Sequence, residues 1–223
     1  MALISKILGV GLIASLAACG PLGEGVTSST LKGVAGAVLG GADTAAGQQA
    51  ASQPQAGLTR AAIEATDADL LLVSLVSRGS VDVMSQIAAR SGAVTWISTD
   101  GVSVSVSNGM VVGTRGSGFD LMGAETAAAR RSLSGGGTHT RSYDVLTGLD
   151  QIENSTYACE TVFDKSETIT IVERDYATQK WKEFCENESV RFTNLYWTTS
   201  DGTIVQTRQF ISIGLGYLVY QRL

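Results

Sequence analysis

The sequence predicts a mainly β protein, with a single antiparallel domain over residues 58–223 whose strongly curved sheet of about ten strands forms a barrel or a sandwich and carries two short helices. Three observations lead there. Asp100-Gly101, Asn108-Gly109 and Asp201-Gly202 are hairpin dipeptides, because each tolerates the positive φ of a type I′ turn. Between the first two, Val102, Val104 and Val106 alternate with Ser103, Ser105 and Ser107, so one face of that strand is apolar and the other wet. Many antiparallel strands in one chain must also curl or stack to hide their edges.

Ahead of this domain, Lys6 supplies a positive start, Ile7 to Leu16 an apolar run too short to span a bilayer, and Leu16-Ala17-Ala18-Cys19 a lipobox. Residues 1–18 are therefore expected to be a lipoprotein signal peptide, with Cys19 the acylated first residue of the mature chain. Acyl chains anchor it to the membrane, since each buried methylene contributes about 0.8 kcal/mol. Gly20 after the cysteine favours the outer membrane and a periplasmic-facing anchor. Residues 19–57, mostly Gly, Ala, Ser, Thr and Gln, read as a flexible tether reaching on the order of 35 Å.

From Leu58, the recurrence of Leu58, Ala61, Ala62 and Ala65 predicts a short helix with Thr59 as N-cap and Arg60 and Glu64 paired at i,i+4. Leu70 to Ser77 is an apolar run of strand length. Val81 to Ala89 keeps period two, and the hairpins around Val102–Val106 form a three-stranded meander ending near Arg115. Gly123 to Ser132 suits the second helix, with Glu125 early and Arg130 and Arg131 late. Tyr157–Phe163, Thr168–Arg174 and Lys180–Asn187 read as three strands separated by turns at 164–166 and 176–178. Val190 to Thr199 carries Phe192, Asn194, Tyr196 and Thr198 on one face and Leu195 and Trp197 on the other, which marks a central strand. Thr203 to Ile211 and Tyr217 to Tyr220 complete the sheet.

With Cys19 acylated, Cys159 and Cys185 are the remaining thiols, and an oxidising compartment makes their disulfide the default. In a simple three-strand meander they would lie two strands apart, near 10 Å, too far to bond. The disulfide thus predicts a strand order or curvature that is not simple.

Composition closes several function classes. The net charge is −5, and the basic residues are scattered rather than clustered, so nucleic acid is not an expected partner. The single histidine, His139, gives a zinc or copper site too few ligands. Gly113 to Gly118 lacks the lysine and the following long helix of a phosphate loop, and no cofactor is expected. Asp100, Asp120 and Glu125 invite a glycosidase reading, which needs two carboxylates about 5–10 Å apart. Yet Asp100 is explained by its turn and Glu125 by its helix start. Arg115 and Asp120 flank a glycine turn and either form a local ion pair or face a sugar or protein partner. Among the aromatic residues, Trp96 and Tyr196 read as core, whereas Trp181 and Trp197 are candidates to stack on sugar rings.

The lipobox, Thr95-Trp96 with Asp100-Gly101, the stretch from Thr114 to Leu121 and Phe192 to Trp197 together resemble the YjbF/GfcB lipoprotein family over roughly residues 58–223. The resemblance implies a predominantly antiparallel β domain and a part in exopolysaccharide or group 4 capsule secretion, with polysaccharide or its export proteins as partners. It implies no catalytic residues. The expected function is therefore non-enzymatic assistance of polysaccharide export or assembly at the outer membrane. A lipid or glycolipid carrier with an apolar cavity is the alternative, and a polysaccharide hydrolase ranks below both.

Overall fold

A computed structural model of the chain describes residues 58–223. The expected signal peptide, the lipidation site Cys19 and the tether lie outside the described residues. The described chain runs α1 (Arg60–Glu64), β1 (Leu70–Leu75), a 3₁₀ turn (Val76–Arg78), β2 (Ser80–Arg90), β3 (Ala93–Ile97), β4 (Ser103–Ser107), β5 (Met110–Arg115) and β6 (Leu121–Glu125). It continues through α2 (Ala127–Ser132), β7 (Gly137–Leu146), β8 (Ile152–Ile171), β9 (Arg174–Glu186), β10 (Arg191–Thr198), β11 (Ile204–Ser212) and β12 (Gly216–Arg222).

Twelve strands form one sheet in the order β5-β4-β3-β2-β1-β12-β11-β10-β9-β8-β7-β6. The chain meanders, β12 returns to pair antiparallel with β1, and the two edges, β5 and β6, meet side by side. The result is a nearly closed barrel with one seam. Alternate side chains fill its interior: Leu71, Val73 and Leu75 from β1, Trp96 from β3, Val104 and Val106 from β4, and Leu218 and Tyr220 from β12. Tyr143, Tyr157, Phe192 and Phe210 add an aromatic stack to that core.

The meander around Asn108-Gly109 is as expected, with both residues at positive φ. Asp100-Gly101 and Asp201-Gly202 turn differently from the expected type I′. In each only the glycine has positive φ, its N–H donates to the carbonyl three residues back, and the aspartate accepts from the Ser98 or Thr199 hydroxyl. The short side chain of Asp fixes the turn from within.

Twelve strands replace the expected ten or so for two local reasons. Residues 123–125, read as helix, extend β6, so α2 starts only at Ala127, and β7 begins at Gly137 where only a glycine-rich break was expected. Conversely, the three strands expected between Tyr157 and Asn187 are two long ones. Residues 164–166 hold a bulge between Phe163 and Lys165, at which Asp164 receives Lys182 at 2.8 Å, and residues 176–178 lie inside β9. The true turn is Val172-Glu173, both at positive φ. A β-branched residue is disfavoured there, and α1 holds it: Arg60 donates through Nη2 to the Ile171 carbonyl at 2.7 Å and through Nε to that of Val172 at 3.2 Å, while its backbone N–H reaches the Glu173 carboxylate at 3.0 Å. Arg60 is thus spent on this turn, while Thr59 caps α1 as expected. Ile171, Trp197 and Val205 form a second apolar cluster here, on the face opposite Tyr196.

The merger of strands also resolves the disulfide. Cys159 and Cys185 are direct partners on adjacent β8 and β9, with Cα atoms 4.1 Å apart and sulfurs bonded at 2.06 Å.

Candidate functional site

Period-two alternation aims His139, Arg141 and Tyr143 of β7, Trp181, Glu183 and Cys185 of β9, and Asn194 and Tyr196 of β10 into the barrel. Glu183 is wholly buried, and so is the Arg141 side chain. One carboxylate oxygen of Glu183 accepts from Arg141 Nη1 at 3.0 Å, Asn194 Nδ2 at 2.7 Å and Tyr196 OH at 2.7 Å. The other lies 2.7 Å from His139 Nε2. Burial works to raise the carboxyl's pKa, but the Arg141 charge and the His139, Asn194 and Tyr196 hydrogen bonds outweigh it and hold the group at about 2. Burial, with Glu183 beside it, pushes the Tyr196 phenol well above its ordinary range. A carboxylate so fully occupied and so weakly basic is poorly matched to general acid/base work near neutral pH. Its physical role is to fill and cross-link the interior with charge-assisted hydrogen bonds.

The fold also brings His139, Cys159 and Glu183 together, with ligand atoms within 4.8 Å of one another. That spacing would suit a metal. The Cys159 sulfur, however, is committed to Cys185, and Glu183 to its four donors. Sequence reading passed over Glu183, although one signal was available: it stands between Trp181 and Cys185 on the same face of an alternating strand, where a carboxylate must be buried and paired.

Arg115 and Asp120 both lie at the seam but do not pair: Asp120 is buried beneath its loop, whereas Arg115 lies exposed across the two strands. Asp120, only 5% exposed, accepts from the Thr114 hydroxyl at 2.7 Å and from the Ser117 N–H at 3.1 Å. Arg115 donates to the Leu121 carbonyl of β6 at 2.9 Å and to that of Met122 at 3.4 Å. Of the two readings the sequence left open, the local one fits this geometry: the loop fastens β5 to β6, through hydrogen bonds rather than an Arg115–Asp120 ion pair, and Asp120 is buried in it. Asp100 accepts from Ser98, which is the leading reason its pKa is lowered, and Glu125 is exposed at the end of β6. Trp181 and Trp197, the expected stacking residues, are 5% and 4% exposed. The Trp181 Nε1 donates to the Thr198 hydroxyl at 3.2 Å and the Trp197 Nε1 to Glu167 at 2.8 Å, so both serve packing because strand alternation buries both faces here. Trp96 and Tyr196 are in the core, as expected.

The outer face of β7–β10 carries a cleft of about 720 Å³. Cross-strand register sets Thr138, Glu160, Phe184 and Thr193 in one outward row, with Tyr217 reached through the Thr193 N–H at 3.2 Å. Ala158, Glu186 and Arg191 form the neighbouring outward row. Between the two rows, His139, Cys159, Cys185 and Phe192 turn inward and supply the floor, so the disulfide lies directly under the cleft. Phe184 stands 46% exposed in it, and Glu186 pairs with Arg191 at 2.8 Å.

Comparison with known proteins agrees with this architecture. No curated protein sequence matches the chain. The crystal structure of the hypothetical lipoprotein YmcC from Escherichia coli (K12) superposes with a TM-score of 0.65 over 73% of this chain and 87% of that one, at 19% identity, a likeness of fold. The family model described as group 4 capsule polysaccharide lipoprotein gfcB, YjbF matches residues 34–223, which takes in the whole barrel. The chain therefore belongs to the YjbF family of capsule-associated lipoproteins.

Proposed function

We propose that this protein is a non-enzymatic lipoprotein, anchored to the outer membrane through Cys19, that assists export or assembly of an extracellular polysaccharide. Family membership supports the polysaccharide link. The observation that supports the non-enzymatic part is the state of the barrel's interior: its central carboxylate, Glu183, has a pKa held at about 2 with both oxygens occupied, and packed apolar side chains together with this hydrogen-bonded network fill the space that a carrier would keep open for an apolar ligand. The partners expected on this reading are the polysaccharide and its export proteins.

The test pairs a deletion strain with the purified protein. Deletion should lower the amount of polysaccharide outside the cell, wild-type protein should restore it, and Cys19→Ala should not. Prolonged incubation with purified protein should leave the polymer's chain length and reducing ends unchanged. Cleavage abolished by replacing Asp100, Asp120 or Glu125 would instead establish a hydrolase.

A further inference from the structure

The cleft over the disulfide matches a ligand that is apolar on its faces and hydroxylated on its edges. Phe184 presents a ring that β9's alternation forces outward, among small neighbours: Thr138, Ala158 and Thr193 leave the ring accessible from the side. Across the strand pair stands Glu160, and two residues along β9, on the same face, stands Glu186 with its Arg191 partner. We infer that this cleft is a binding subsite for an uncharged stretch of polysaccharide, one sugar face stacked on Phe184 and its hydroxyls bonded to Glu160 and to the Glu186–Arg191 pair.

The inference rests on the proposed role in polysaccharide export and specifies where, and on what kind of chain, the protein takes hold. A pyranose exposes C–H groups on its face, which pack on an aromatic ring, and hydroxyls around its edge, which donate to carboxylates in hydrogen bonds stronger than neutral ones. Charge selects among glycans. Two carboxylates face one guanidinium in the cleft, within a chain of net charge −5, so a uronic-acid or phosphate-bearing segment is repelled where a neutral one is not. The size lies within the roughly 300–1,000 Å³ of small-ligand sites. The site is also preorganised: the disulfide locks β8 to β9 at the residues adjoining Glu160 and Phe184, so little ordering remains to be done on binding.

The test uses the full lipidated chain in a sugar-free detergent and, as probe, oligosaccharides from partial hydrolysis of the host's own extracellular polysaccharide, split into neutral and acidic fractions. Neutral fragments should bind and acidic fragments should bind more weakly. Phe184→Ala should weaken neutral binding roughly tenfold, the worth of one stacked ring, and Glu160→Gln should weaken it less. Neither change should alter the melting curve, and Ile87→Ala, an exposed apolar residue on β2, should leave binding intact. Undiminished binding by Phe184→Ala, or preference for the acidic fraction, overturns the inference. So does a chain that binds neither fraction but loses capture of an envelope protein when Phe184 is replaced, which would make the face a protein dock. Absence of fragment binding while deletion still depresses export removes the subsite and leaves the proposed function standing. Binding as described with export unchanged in the deletion strain does the reverse.

Discussion

Glu183 shows how much one residue can carry. Its carboxyl is ionised in the fold from about pH 2, against an ordinary 4.5 in the unfolded chain, so its contribution is complete above about pH 5 and is lost as pH falls toward 2. A shift of this size corresponds to on the order of 3 kcal/mol. Glu183→Gln preserves shape but leaves the buried Arg141 guanidinium uncompensated, and should cost about 3–5 kcal/mol near neutral pH. Urea unfolding of both proteins from pH 7 to pH 2.5 reads the effect: the gap between them should narrow as pH falls below 5. A gap independent of pH would show that Glu183 does not act through its charge. Arg141 has further nitrogens, Nε and Nη2, that are buried without a protein partner, and His139 Nδ1 is in the same position. The network is therefore demanding as well as stabilising, since every buried donor left unpaired carries a desolvation cost.

At the scale of elements, the β8–β9 ribbon is the longest feature of the fold, and two distant devices hold it. The disulfide ties its open end, and the Arg60 contacts from α1 tie its tip. Closing 26 residues of sequence with a disulfide should stabilise by about 3–4 kcal/mol in the chain-entropy model. The double variant Cys159→Ala/Cys185→Ala should accordingly melt well below wild type, and reductant should lower the wild-type midpoint toward it. Equal midpoints with and without reductant would mean that the sheet alone sets the ribbon's geometry. The same ribbon explains what was hidden from sequence. Asn108-Gly109 announces its turn because the dipeptide itself supplies the backbone freedom. Val172-Glu173 announces nothing, because that turn is stabilised by Arg60, more than a hundred residues away. A reading based on local turn chemistry places breaks at Asp164 and Tyr176, where the chain stays extended, and so places Cys159 and Cys185 two strands apart.

For the whole molecule, the seam between β5 and β6 is the weak line of an otherwise continuous sheet. Arg115 bridges it through two carbonyls, and Asp120 organises the connecting loop from within. Arg115→Ala removes bonds worth about 1–2 kcal/mol together. Amide exchange in β5 and β6 should then quicken by roughly 5–30-fold, while β11 and β12, far around the sheet, keep their protection. Unchanged exchange at the seam would show that packing against β6 suffices. The Arg115 and Asp120 spacing in sequence serves equally for presenting charges to a partner or for fastening a loop. Only the position of β6 beside β5 chooses.

By itself the sequence determined what depends on neighbours along the chain: the antiparallel class, the Asn-Gly hairpin, the two-sided strand from Arg191 to Thr198, the capped helix at Thr59, the pairing of the only two thiols outside the lipobox, and the family resemblance. Tertiary structure decided what depends on residues brought together across strands. It set the twelve-strand count, the ionised carboxylate at the centre of the barrel, the burial of Asp120, Trp181 and Trp197, and the outward row that leaves Phe184 accessible. The physical reason is the pleat. Alternation along a strand fixes which residues share a face, but whether a face is interior or solvent, and which donors meet a carboxylate there, is set by register with strands tens of residues away.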